Sequence, residues 1–165
     1  MNSSEISLVN NADYNNFRTL LDSVGNRIIR KIQQNKDKFY KFIQMDLVGL
    51  VNEVNIPSIT DLNNIKFTYQ FNHYWFNCYL HFPNIKLTLY GIRGDEFYFR
   101  YEFGTKQNDF YQIPRLSRML HTELDILYNL MILDNNYRYY DDISRKEFLN
   151  DLENIEKFYN NITSI

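Results

Sequence analysis

The sequence predicts an α+β fold: N-terminal helices, a four-stranded antiparallel β-meander and two C-terminal helices. Three observations carry this. Apolar residues recur at helical steps of three, four or seven in the first and last thirds of the chain. In the middle third they alternate with polar residues, the period of a strand covered on one side. Short turn-forming stretches separate the alternating runs at hairpin spacing. The expected bounds are helical 13–54, sheet 65–104 and helical 114–162, within a single domain over residues 1–165. That length is ordinary for one domain.

The first third, from Asp13 to Val54, holds no proline and two glycines, Gly25 and Gly49. Phe17, Leu21, Val24, Ile28, Ile32, Phe39, Ile43, Leu47 and Leu50 fall on one broad arc when residues are placed at about 100° each. Lys36 falls on the same arc, so a break is expected within Gln33–Asp37. Pro57 ends the region, because proline disfavours helix in the residue before it.

In the middle third, Phe67, Tyr69 and Phe71 alternate with Thr68, Gln70 and Asn72. Tyr74, Phe76, Cys78, Leu80 and Phe82 alternate with Trp75, Asn77, Tyr79 and His81. Ile85, Leu87 and Leu89 then oppose Lys86, Thr88 and Tyr90. Phe97, Phe99, Tyr101 and Phe103 oppose Tyr98, Arg100 and Glu102. A one-residue slip would turn a strand over, so turns must preserve these faces. A two-residue loop at Asn72-His73 pairs Phe71 with Tyr74 and Tyr69 with Phe76. A two-residue loop at Pro83-Asn84 pairs Phe82 with Ile85. A three-residue loop, Ile92-Arg93-Gly94, pairs Leu89 with Phe97 and puts glycine at the left-handed position.

Pro114 suits the first position of a helix. Leu116, Met119, Leu120, Leu124, Leu127, Leu130 and Met131 then form a wide apolar face. Ser144 and Glu147 read as a capping box, with Ile143 and Phe148 as its hydrophobic staple. Phe148, Leu152, Ile155, Tyr159 and Ile162 line one side of the last helix.

Composition excludes several classes. Hydrophobic residues make up 44% and charged residues 23%, so the chain is no disordered polyelectrolyte. Five glycines and three prolines exclude collagen-like and linker sequences. A net charge of −2 supplies no global field for nucleic acid or membrane. Met1–Asn10 lacks the pattern of a signal peptide. No apolar run approaches the roughly 20 residues of a membrane span. The single cysteine, Cys78, can form no internal disulfide. A cytoplasmic protein without membrane contact is expected. The many asparagines, doubled at Asn10-Asn11, Asn15-Asn16, Asn63-Asn64, Asn135-Asn136 and Asn160-Asn161, fit an AT-rich genome.

Each chemical constellation has a plainer structural reading. His73, Cys78 and His81 lie within nine residues. Their strand parity sends Cys78 and His81 to opposite faces, so no metal is expected there. No Gly-rich phosphate loop, His-Glu-x-x-His or Gly-x-Ser-x-Gly occurs. His121 and Asp125, four apart on a helix, read as a surface pair. No cofactor, metal or catalytic residue is therefore expected. Arg93-Gly94-Asp95 matches an adhesive tripeptide, but the turn already accounts for its glycine.

Two surfaces stand out. Arg27, Lys31, Gln34, Lys38 and Lys41 share one helix face, in a stretch from Arg18 to Lys41 with seven basic and two acidic residues. That stripe could dock nucleic acid or another anionic partner. Asp141–Lys157, by contrast, holds six acidic and three basic residues. The second surface is the outer face of the sheet. The turn lengths above stack His81, Lys86 and Arg100 in one row, Tyr79, Thr88 and Tyr98 in the next, and Asn77, Tyr90 and Glu96 in a third. Lys86 beside Arg100 would set like charges together, which destabilises a sheet unless something anionic covers them. With Trp75, these residues (Tyr79, His81, Lys86, Tyr90, Tyr98, Arg100) have the composition of a protein-interface hot spot.

The expected function is that of a non-catalytic binding protein acting by occluding a partner protein. Phage- or mobile-element-encoded inhibitors of host defence (anti-CRISPR-like) and toxin-neutralising immunity proteins share this short, motif-free character. The alternative is an RNA- or DNA-binding protein, or an inhibitor of a ribonucleoprotein, using the basic stripe and the sheet face.

Overall fold

The computed structural model describes residues 12–46, 62–71, 76–82, 85–91, 97–103, 106–112, 114–138 and 143–163. Helices flank an antiparallel sheet, and helix dominates. After a 3-10 turn at Ala12–Tyr14 come α1 (Asn15–Gln34) and α2 (Lys36–Asp46). A second 3-10 turn, Leu62–Asn64, leads into β1 (Lys66–Phe71), β2 (Phe76–Phe82), β3 (Ile85–Gly91), β4 (Phe97–Phe103) and β5 (Lys106–Gln112). The chain closes with α3 (Pro114–Met119), α4 (His121–Arg138) and α5 (Arg145–Thr163). Among the described residues, no helix is long and apolar enough to cross a membrane.

The N-terminal helix breaks at Asn35, inside the stretch where Lys36 disturbed the apolar arc. Asn35 leaves helical geometry (φ −123°, ψ 43°) and caps what it ends. Its N–H donates to the carbonyls of Lys31 (3.1 Å) and Ile32 (3.2 Å), and its Nδ2 donates to Lys31 O at 2.8 Å. The helix therefore does not end on bare carbonyls. The break leaves Lys36 exposed and keeps Phe39 buried. Phe17, Leu21, Val24, Ile28 and Ile32 are all fully buried. Leu47 and Leu50 lie outside the described residues, and of Ile43 only the backbone is described.

The sheet has five strands, not four, in the order β1-β2-β3-β4-β5. The extra strand, β5, follows the expected sheet end at 104. Its polar run Lys106-Gln107-Asn108-Asp109 carries no alternation by which to recognise it. Register differs from expectation at two hairpins. Phe71 pairs with Phe76 and Tyr69 with Cys78, so four residues, not two, connect β1 to β2. Leu89 pairs with Phe99 and Leu87 with Tyr101, so five residues, not three, connect β3 to β4. Between β2 and β3, Phe82 pairs with Ile85 and Leu80 with Leu87. Both shifts equal two residues. A shift of two keeps every strand on its own face, so burial does not distinguish it from the expected register.

The inner face of β1–β2 packs on α1. Cys78, Leu80, Phe76 and Phe82 are buried, and Phe67, Tyr69 and Phe71 are half-buried against the core. Gly25 of α1 lies against the Phe67 ring, a position with no room for a side chain. Tyr14, Phe17, Phe71, Phe76, Tyr137 and Phe148 form one aromatic cluster where α1, the sheet, α4 and α5 meet. Tyr137 stacks on Phe148 at 4.3 Å between centroids. Much of the aromatic excess is therefore core packing.

The expected first C-terminal helix is divided at Leu120 into α3 and α4, so three helical segments follow the sheet. Helix α4 is central, packing against both α1 and α5. Leu116, Leu120, Leu124, Leu127, Leu130 and Met131 are buried, and so are Ile126 and Leu133 outside the expected face. At the start of α5, Glu147 N–H donates to Ser144 Oγ at 3.2 Å, and Ser144 Oγ donates to Glu147 Oε1 at 3.4 Å. Ile143 is half-buried against the core and Phe148 is completely buried, as a staple requires.

Candidate functional site

The basic stripe of the first helical region is divided by function. Arg27 and Lys31 turn inward to Glu123, which α4 carries into the interior with no exposed surface. Arg27 Nε donates to Glu123 Oε1 at 2.9 Å, and Lys31 Nζ lies 2.9 Å from each carboxylate oxygen. A buried carboxylate needs such partners, since desolvating an unpaired charge is costly. The pair also suits the helix ends: Lys31 stands in the last turn of α1 and Glu123 in the first turn of α4. Lys38 and Lys41, the other two stripe cations, are exposed on α2. The nucleic-acid reading thus loses two of its four cations to an internal partner.

Above this ion cluster lies a hollow of about 350 Å³ lined by Arg27, Arg30, Lys31, Gln34, Asn35 and Met119. It gathers three cations and two amides. Arg30 escaped the sequence reading because it sits beside the stripe and not on its 4-3-4-3 spacing. Lys38 and Lys41 do not line the hollow.

The outer face of the sheet is described in side-chain detail on β1 and β2. Lys66, Thr68 and Gln70 are exposed, and Tyr79 and His81 are half-buried. Cross-strand contacts align them. Thr68 Oγ1 lies 2.8 Å from His81 Nε2, and Tyr79 OH donates to Gln70 Oε1 at 3.5 Å. Asn77, expected on this face, is buried, and its Nδ2 donates to Tyr79 OH at 3.3 Å. Trp75 lies outside the described residues, together with His73, Arg93-Gly94-Asp95 and Glu96. For Lys86, Tyr90, Tyr98 and Arg100 the structure describes the backbone only. That backbone changes the rows. Lys86 pairs with His81 on one side and Glu102, not Arg100, on the other. Arg100 pairs with Thr88, and Tyr98 with Tyr90. The expected Lys86–Arg100 juxtaposition is therefore replaced by opposite charges across β3–β4, which need no outside anion.

A third feature was not read from the sequence. Between α4 and α5 runs a groove of about 410 Å³ lined by Ile126, Asn129, Ile132, Leu133, Asn136, Asp151, Asn154, Ile155 and Phe158. Phe158 is 55% exposed and Ile132 39%. The available signal was that Phe158 falls off the stripe of Phe148, Leu152, Ile155, Tyr159 and Ile162, at its edge.

Two further polar groups are internal. Asp134, fully buried, accepts from Tyr14 OH at 2.7 Å and from Arg138 Nε (2.8 Å) and Nη2 (2.6 Å). Burial pushes the Asp134 carboxyl up, and the bonds from Arg138 and Tyr14 oppose that rise. The periodicity held the signal. At about 100° per residue, Glu123, Asp134 and Arg138 all fall within the apolar arc of the third helical region. His121 and Asp125 form the expected surface pair at 3.5 Å. Cys78 is completely buried, and burial pushes its thiol up. Among the described residues, no three His, Cys, Asp or Glu side chains converge as a metal site would require. No protein-family model, curated protein sequence or solved structure matches this chain.

Proposed function

We propose that this chain is a non-catalytic binding protein that acts by occluding a partner protein. The observation that carries the reading is the α4–α5 groove. Phe158 and Ile132 present large apolar surface to water, and Asn129, Asn136, Asn154 and Asp151 border them. An apolar centre with a polar rim is the anatomy of a protein interface, and exposed apolar patches of this kind mark interaction sites. The sheet face supplies a second surface, with Thr68, Gln70, Tyr79 and His81 already aligned by cross-strand contacts. In this reading the protein works in the cytoplasm of a bacterial or host cell. It is either an anti-CRISPR-like inhibitor of host defence or a toxin-neutralising immunity protein.

The test begins with affinity capture from the source or host cell and reconstitution of the pair from purified components. Phe158→Asp is expected to weaken the complex by about 30-fold or more, the range of an interface hot spot. The double substitution Tyr79→Ala, His81→Ala measures the share of the sheet face. A reconstituted complex indifferent to both sets of substitutions, or no stoichiometric partner at all, overturns the reading.

A further inference from the structure

We infer that the hollow formed by Arg27, Arg30, Lys31, Gln34 and Asn35 is a binding site for a phosphate dianion, free or as a phosphomonoester. It is separate from the α4–α5 groove and does not depend on it. Four observations support it.

The first is charge. Three cations line the hollow, and the carboxylate beneath it, Glu123, satisfies one charge while being shared by two of them. A surplus of two positive charges remains within one helical turn, matching a dianion. Among the described residues Arg30 makes no ion pair.

The second is donor capacity. An arginine carries five N–H donors and a lysine three. Glu123 accepts from only the Nε of Arg27 and from Lys31, so the terminal nitrogens of Arg27 remain for a ligand. The planar guanidinium fork suits phosphate oxygens in a way an isolated lysine does not.

The third is the treatment of the helix end. The carboxyl terminus of a helix ordinarily repels anions. Here Asn35 occupies the carbonyls of Lys31 and Ile32 with its N–H and Nδ2. Two of the last four carbonyls of α1 therefore already carry hydrogen bonds at this wall.

The fourth is size. A hollow of about 350 Å³ lies at the small end of the roughly 300–1,000 Å³ spanned by ligand sites. It has room for a phosphoryl group and part of what carries it. The buried position of Glu123 fixes Arg27 and Lys31 in place, so two of the three cations are pre-positioned before a ligand arrives.

The experiment titrates the full-length protein with inorganic phosphate at constant ionic strength, balanced with sodium chloride. Binding is read by calorimetry and by backbone amide shifts at Arg27, Arg30, Lys31, Gln34 and Asn35. Saturable binding of phosphate but not of chloride is expected. Arg30→Gln is the informative variant, since Arg27 and Lys31 also neutralise a buried carboxylate and their loss disturbs folding. It should weaken phosphate by about 10-fold or more, the value of a charged hydrogen bond. Lys38→Gln removes the same charge outside the hollow and should change affinity by less than about twofold, because exposed charges are well screened. Adenosine 5′-monophosphate separates the sources. Tighter binding than phosphate points to a nucleotide, and equal binding to the phosphoryl group alone. Three results overturn the proposal: chloride reproducing the phosphate response, Arg30→Gln binding as well as the parent, or a single-stranded oligonucleotide that binds far more tightly than phosphate and is weakened equally by Lys38→Gln.

Discussion

Gly25 of α1 stands so close to Phe67 of β1 that a methyl group on its Cα would lie 2.5 Å from the ring Cγ and 2.7 Å from Cε1. Carbon atoms in contact prefer about 3.5–4.0 Å, so ring or helix would have to move. The Cγ of a strand residue is held close to its backbone and cannot swing aside. Gly25→Ala sets two effects against each other. Alanine favours a helix interior by about 0.8–1.0 kcal/mol. Overpacking typically costs about 1–3 kcal/mol. A net loss of about 1–2 kcal/mol is expected in urea denaturation followed by circular dichroism. The sign should reverse when Phe67 is removed: in a Phe67→Ala background, Gly25→Ala should stabilise by about 0.5–1 kcal/mol. Destabilisation of equal size in both backgrounds would show that the contact does not set the helix–sheet distance.

The triad of Arg27, Lys31 and Glu123 should respond non-additively. Glu123 is fully buried, whereas its two cations are 31% and 26% exposed. Removing one cation leaves the carboxylate one partner, and the cost should be about 1 kcal/mol for either Arg27→Met or Lys31→Met. Removing both strands a buried charge, which is worth about 3–5 kcal/mol. A double-mutant cycle measured by chemical denaturation is expected to show the double variant losing more than the two single losses together. Simple additivity would mean that Glu123 reaches water or a proton when its partners are gone.

Tyr14 sets a limit on alkaline stability. Its hydroxyl is buried and donates to Asp134, and burial, followed by the neighbouring carboxylate, holds its pKa well above the ordinary 10.0. The sign follows from proton binding. Above pH 10 the unfolded chain releases this proton and the folded chain keeps it, so stability falls as pH rises. The slope is about 1.4 kcal/mol per pH unit for this one group. Tyr14→Phe should cost about 1–2 kcal/mol at pH 7 through the lost hydrogen bond, while Asp134 keeps Arg138. From pH 10 to 11 its stability should fall less steeply than that of the parent. Parallel curves across that range would place the alkaline loss on other groups, such as Tyr159 and Cys78, whose pKa values burial also raises.

Periodicity reads which face of an element is buried, and that much was legible. Phe17, Val24, Ile28, Leu124 and Phe148 all stand where their spacing put them. Spacing does not reveal which polar residue is drawn inside with them. Glu123 and Asp134 lie on an apolar arc, yet only partners distant in sequence, Arg27 and Lys31 for one and Tyr14 for the other, make those positions tenable. The basic hollow depends on the same distant meeting, because Glu123 holds two of its three cations. In the sheet the limit is one of symmetry. The core enforces an even shift and is indifferent between shifts that differ by two, so loop length has to decide.

Cross-strand charge offers a further criterion for register. In the observed alignment Lys86 faces Glu102, whereas the shorter turn would set Lys86 against Arg100. Like charges directly opposite destabilise an antiparallel pair and opposite charges favour it, by about 0.2–1 kcal/mol. The five-residue connection therefore gains across β3–β4 what a tight turn would lose. Backbone NOEs measured on labelled protein should link Lys86 to Glu102, Thr88 to Arg100 and Tyr90 to Tyr98. Glu102→Lys, which restores like charge across the pair, should then cost about 0.2–1 kcal/mol. NOEs from Lys86 to Arg100 and from Thr88 to Tyr98 would instead establish the three-residue turn, and would return Lys86 and Arg100 to a shared row that calls for an anionic partner.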